Sequence, residues 1–323
     1  MINIGILFQQ VFTLVLFVFP AVLLKKCRLA GDGIGVGLSN IVLYIASPAM
    51  IVNSFMMAYS KEILIHASVV TLFTVLFHLL FFCIAVAVYP KNKTSQPVNK
   101  VLRFACVFTN AGYMGVPLLQ AVVGQEATIY ATFYIACFNV FVWTLGCFIY
   151  TGDRSYISLK KAFINPATLS VIVGLVIFIT PLGRLIAENP DFPIVYVTTR
   201  AVRSLNELVA PLSMFVIGLR LAEVDIRGFF GDRNLYGYLL VRMIAVPAIC
   251  FGILKLAALI GLYRNEMVAT VIFLCAATPA ATATSMFAEK YDGDVHFAGK
   301  LVSLSTILSV ATMPLVSLLL KLY

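Results

Sequence analysis

The sequence predicts an all-α polytopic membrane protein of ten transmembrane helices, on three grounds: composition, the length of its apolar runs and the placement of its basic residues. Of 323 residues, 61% are hydrophobic and 11% charged. Soluble domains carry about 25% charged residues and cover their apolar interior with a polar skin. This chain lacks the residues for such a skin, which excludes a water-soluble globular protein. Eight uncharged runs are long enough to cross a hydrocarbon layer of about 30 Å as helices: 1–24, 33–60, 63–90, 104–125, 127–152, 162–183, 267–288 and 301–320. Two more, about 201–222 and 234–263, are interrupted by Arg203, Glu207, Arg242 and Lys255. A β-barrel would show strands of about ten residues with alternating polarity instead of continuous apolar runs.

The first run reads as a retained span. No basic residue precedes it, and Lys25, Lys26 and Arg28 follow where a signal peptide would have its small-residue cleavage site. An even number of spans puts both termini on one side. The loops after spans 1, 3, 5, 7 and 9 hold fifteen Lys and Arg, against six on the opposite side, so the termini are expected outside a cell membrane, in bacteria the inner membrane. The net charge of +9 is spread over short loops, which points to anionic lipid headgroups of the bilayer and not to nucleic acid. Seven cysteines, mostly within spans and without a CxxC, read as reduced packing residues. A homodimer is left open beside the monomer.

No loop exceeds about twenty residues and no low-complexity tract occurs, so the work of the protein lies within the bilayer. Pro48 in span 2 and Pro211 in span 7 are each followed by a Met-rich aliphatic run, and Pro117 and Pro279 follow them by 69 and 68 residues. That spacing predicts two five-span halves, 1–151 and 166–323, joined by a short cytoplasmic linker at 152–165. A repeat with an odd number of spans enters the membrane inverted the second time.

Spans 4 and 9 carry the most informative local sequences. TNAGYMGVPL at 109–118 places Asn110, Ala111, Gly112, Tyr113, Gly115 and Pro117 in mid-span, and AATPAATATS at 276–285 places Pro279 among Thr278, Thr282, Thr284 and Ser285. Proline removes a backbone donor, and hydroxyl and amide side chains compete for the freed groups. At membrane depth such backbone is tolerated only against protein or a water-filled cavity. Paired broken helices whose half-helix N-termini offer free amides are how secondary transporters hold anions. Close packing through small residues is the competing reading. Pro48, Asn110 to Tyr113, Pro117, Thr278, Pro279, Thr282 and Thr284 are the candidate substrate contacts. Glu207 and Arg242 are charges at membrane depth, costly unless functional or snorkelling, and are candidates for anion attraction, mutual pairing or proton exchange.

These segments resemble the auxin efflux carrier family, in particular its bacterial branch of malate and malonate permease-like proteins. The likeness covers essentially the whole chain and is carried by NAGYMGVPLL (110–119), Asn165-Pro166 with Val173 to Leu175, APLSMFVIGLRL (210–221), VRMIAVPA (241–248) and ATP followed by FAEKY (277–279, 287–291). The resemblance implies ten helices in two inverted five-helix repeats, helices 4 and 9 unwound where they cross, and a small organic anion bound beside the crossing. Plant carriers have an Asn seven residues before the crossover proline, matched by Asn110 and Pro117. Thr284 stands where the plant pattern has a second proline, and Ala167 where it has a second Asn. These departures count against auxin itself as substrate.

An enzyme is not expected. HExxH, GxSxG and a glycine-rich phosphate loop are missing from the sequence, Tyr291-Asp292 lacks the GxGD partner of intramembrane aspartyl proteases, and His66, His78 and His296 are too scattered for a metal site. No cofactor is expected. The functional expectation is a secondary transporter of a mono- or dicarboxylate working by alternating access. A transporter-fold sensor that only binds the anion is the alternative, and a channel is disfavoured.

Overall fold

The computed structural model describes residues 4–31, 33–90, 94–124, 126–223 and 231–323. Lys91, Lys93 and Arg227, counted above among the basic loop residues, lie outside the described residues. The helices are α1 (Gly5–Lys26), α2 (Ile34–Ser54), α3 (Lys61–Val88), α4 (Gln96–Val107), α5 (Val116–Val122) and α6 (Glu126–Thr151). They continue as α7 (Leu159–Phe163), α8 (Pro166–Ile179), α9 (Pro181–Glu188), α10 (Pro193–Glu223), α11 (Arg233–Leu259), α12 (Glu266–Ala277), α13 (Ala283–Lys290) and α14 (Val295–Leu322). Among the described residues, eight stretches are long and apolar enough to cross a membrane: α1, α2, α3, α6, 154–179, α10, α11 and α14. The described chain is helical apart from one isolated bridge, as expected for a polytopic membrane protein.

The two charge-interrupted stretches, α10 and α11, run on as helices with a single turn residue at Leu208, whereas the uncharged runs 104–125 and 267–288 are broken near mid-length. Helix continuity depends on backbone donors and local polar competition, and a charged side chain removes neither. The helix starts follow ordinary capping chemistry. Asn165 accepts from Thr168 N at 3.0 Å ahead of Pro166, Asn265 from Val268 N at 3.0 Å, and Asp294 from Phe297 N at 2.8 Å. The Asn165-Pro166 pair is therefore a helix cap in this fold.

At three of the span prolines the helix is widened ahead of the ring. Pro48, Pro117 and Pro247 each stand two residues after a π turn, at Val42–Ala46, Ala111–Gly115 and Val241–Ala245. Before Pro117 the Asn110 carbonyl accepts from both Met114 N at 3.0 Å and Gly115 N at 3.2 Å. The shift to an i−5 partner makes room for the ring that an unbroken α-helix would exclude. Pro117 thus lies in a continuous helix beyond the break in the 109–118 segment, while Pro279 lies inside its break. The two prolines therefore stand in different local settings.

The broken segments are the most enclosed parts of the molecule. Every residue from Val268 to Ala277 on α12 is buried, as is every residue from Phe104 to Ala111. Lipid-type exposure lies elsewhere, on one stripe of α8 (Leu169, Ile172, Val173, Val176, Ile179) and one of α3 (Leu72, Leu76, Leu79, Val86). Irregular backbone at membrane depth must be shielded from lipid, and the packing provides that shield.

Candidate functional site

The two breaks, 108–110 and 278–282, lie against each other as a short antiparallel pair. Asn110 N donates to Pro279 O at 2.8 Å, Ala281 N donates to Phe108 O at 3.1 Å, and Thr109 faces Ala280 in a single bridge. Other groups at the breaks are met by neighbouring side chains and backbone. Ala280 N donates to Ser305 Oγ at 3.3 Å, Thr278 Oγ1 to Cys275 O at 2.8 Å, and Arg242 Nη2 to Ala276 O at 2.7 Å and Thr278 O at 3.4 Å. These bonds replace part of the helical pairing lost at the breaks, as buried backbone requires.

Beside this crossing is a cavity of about 150 Å³. Its polar lining is Ser47 of α2, Thr109, Asn110, Gly112 and Tyr113 of the first break, Asn139 of α6 and Thr282 of the second break. The other walls are apolar or aromatic, notably Phe138, Trp143 and Phe287, and no acidic or basic side chain lines it. Asn110 is buried, and its Nδ2 has no hydrogen-bond partner. An unmet amide donor on a residue that lines a small cavity is a candidate contact for a carboxylate once the side chain turns to it.

Of the predicted contacts, Asn110, Gly112, Tyr113 and Thr282 line this cavity. Ala111 is buried at the start of the π turn, Thr278 and Pro279 spend their groups on the crossing, and Thr284 is buried with its carbonyl accepting from Tyr150 Oη at 3.1 Å. Pro48 sits in α2 beside Ser47, and Pro117 lines a different depression with Gln10, Gln120, Arg203 and Glu207. The pairing of Arg242 with Glu207 does not occur. Glu207 is exposed in that second depression, whereas Arg242 is 1% exposed and turned to the crossing. Snorkelling does not describe Arg242. Its guanidinium caps the carbonyl end of α12, where a cation also suits the helix dipole, and stacks 5.8 Å from the Phe81 ring. Among the described residues no carboxylate lies within 4.0 Å of it, and its Nε and Nη1 are buried without partners. Lys255 does reach a helix end, bonding the carbonyls of Leu322 and Tyr323.

Sequence reasoning missed Ser47, Phe138, Asn139, Trp143 and Phe287. Trp143, the one tryptophan of the chain, lies in a π turn at Val142–Gly146 with no proline to advertise it. On the opposite side of the crossing a third depression includes Asn53, Ser54, Met57, Glu126 and Arg203. Between it and the cavity, Ser54 Oγ and Thr132 Oγ1 are hydrogen-bonded at 3.1 Å and Phe55 is fully buried. The cavity is closed on that side and reaches the surface at the 45%-exposed Met286.

Two apolar membrane segments broken at mid-length, paired through their backbones and set beside a small cavity, form the architecture of a membrane transport protein. The family model described as membrane transport protein matches residues 6–159 and 154–317, and the chain belongs to this family, the auxin efflux carriers. An uncharacterized transporter of Methanothermobacter thermautotrophicus is 26% identical over 221 residues, covering 68% of this chain and 67% of that one. The protein is a multi-pass membrane transporter and not an enzyme.

Proposed function

We propose that the protein is a secondary transporter of a small organic anion, a mono- or dicarboxylate such as malate or malonate, that works by alternating access about the crossing of the two broken helices. The observation that carries this reading is a cavity without a carboxylate at the paired breaks, lined by Asn110, whose buried amide nitrogen has no partner. At about 150 Å³ the cavity is smaller than the roughly 300–1,000 Å³ pockets of drug-sized ligands, which suits an anion of few heavy atoms. The depressions on the far side of the Ser54–Thr132 contact supply the second access route that alternation needs.

In this reading the two broken segments join the eight continuous stretches to make ten spans, in inverted halves 1–151 and 166–323 about the linker 152–165. The basic-loop face is cytoplasmic and both termini lie outside the cell membrane. Among the described residues the cavity holds no carboxylate and Glu207 is exposed in a separate depression, which supports transport without a dedicated proton or sodium site. Outward movement of the anion then follows the membrane potential, worth about 2.3 kcal/mol per charge per 100 mV.

The test is uptake of a panel of labelled carboxylates into proteoliposomes, with the potential clamped by potassium and valinomycin at fixed pH and sodium. Potential-dependent flux of a small carboxylate is expected. Binding without flux would favour a sensor, and flux that ignores the potential but collapses with a proton or sodium gradient would replace the uniport reading with coupled transport.

A further inference from the structure

Trp143 lines the crossing cavity, and two ammonium groups approach its ring: Lys161 Nζ at 5.6 Å and Lys290 Nζ at 5.3 Å from the centroid. The lysines come from elements far apart in sequence. Lys161 lies on α7, whose capping residue Ser158 donates through its backbone N to Trp143 O at 3.4 Å, which fixes α7 against the π turn. Lys290 is the last residue of α13, and Phe287, one turn earlier and itself a cavity wall, packs on the indole at 5.4 Å. Both distances fall within the range in which an aromatic face attracts a cation. The ring thereby brings two positive charges within about 11 Å of each other, a little beyond the screening length of about 8 Å at physiological salt, so that an anion between them is within reach of both. Among the described residues neither ammonium has a carboxylate within 4.0 Å, although Asp153, Glu289 and Asp292 are near in sequence. Two like charges gathered without a counter-charge repel one another, and an anion between them relieves that repulsion. Met286, the exposed rim of the cavity, belongs to the same helix as Lys290, so the pair stands at the mouth.

We propose that Lys161, Lys290 and Trp143 form an anion-loading subsite at the mouth of the crossing cavity, on the face that carries the basic loops. An organic anion is held there by the two ammoniums with its body on the indole, and then passes inward to Asn110. The cavity walls carry no charge of their own, so this pair supplies the electrostatic attraction that the interior lacks. The transport role of the subsite rests on the transporter reading above; its anion affinity does not.

Because Trp143 is the only tryptophan, emission excited beyond tyrosine absorption reports this site alone. In neutral detergent, iodide should quench it more effectively than caesium, and added chloride should weaken the iodide effect. Lys161→Gln and Lys290→Gln should each lower the iodide quenching constant about two- to fivefold, and the pair about tenfold, while quenching by neutral acrylamide stays constant. Arg at both positions should restore it. In proteoliposomes the Gln pair should raise KM for labelled malonate by a similar factor with the saturated rate unchanged. Equal quenching by iodide and caesium in the unmodified protein, or an iodide constant indifferent to the Gln pair, overturns the subsite, as does an unchanged KM in a protein that transports malonate. Iodide selectivity lost in the Gln pair while no carboxylate of the panel is transported upholds the subsite and overturns the transport reading instead.

Discussion

Asn110→Ala separates a binding residue from a structural one, because the structure assigns its side chain no work within the protein. Its Nδ2 is buried and unpartnered, while its backbone N and O make the crossing bonds to Pro279 and from Met114. The residue has φ −82° and ψ 40°, open to alanine, so those backbone bonds persist in the variant. Removing an unmet buried donor carries no hydrogen-bond penalty, and the unliganded protein should melt at the same temperature or slightly higher. A bond from the amide to a carboxylate is worth about 1.5–3 kcal/mol, which predicts a ten- to hundredfold weaker dissociation constant. Ligand at a hundredfold excess over its dissociation constant stabilises the parent by about 2.7 kcal/mol. A thirtyfold weaker variant at the same concentration retains only about 0.9 kcal/mol. The assay is thermal unfolding in detergent with and without the carboxylate that the uptake panel selects. A variant that melts well below the parent when unliganded, yet keeps the full ligand-induced shift, would show that Asn110 braces the crossing and does not bind the anion.

Arg242→Met takes the donor from the Ala276 and Thr278 carbonyls, each orphan costing about 1–3 kcal/mol, so both melting temperature and flux should fall; an unchanged pair of values would sink its role in holding the break. Gly218→Ala would drive a Cβ into the Val18 carbonyl and the Ala21 methyl, an overpacking cost of about 1–3 kcal/mol, whereas Gly237→Ala meets open space and should be tolerated; equal melting of the two variants would refute the close α1–α10 approach. For orientation, in a background lacking the exposed Cys27 and Cys83, Arg154→Cys should be protected from an impermeant thiol reagent outside intact cells and Glu126→Cys labelled. The reverse pattern would invert the assigned topology.

The class of protein was legible in the sequence because crossing a bilayer is a local requirement, met by runs of sufficient length whatever lies beside them. The two breaks were legible for the same reason. Asn110 with its flanking small residues, and Thr278-Pro279, disturb helix hydrogen bonding through their own chemistry. The setting of Pro48 and Pro117 was not legible, because a π turn absorbs each proline and nothing in the residues preceding them signals that turn. Only the tertiary structure decided which side chains face the cavity. In a soluble helix the apolar stripe points to the core, but in lipid the core and the surroundings are equally apolar, so no periodicity told Phe138 or Trp143 from their lipid-facing neighbours. Charge was ambiguous in the same way. Arg242 and Glu207 read alike as residues at membrane depth, and packing alone turned one onto the carbonyls of the break and left the other in an exposed depression. The meeting of Lys161 and Lys290 over a single indole is likewise a product of the fold, since residues 129 positions apart have no local chemistry in common.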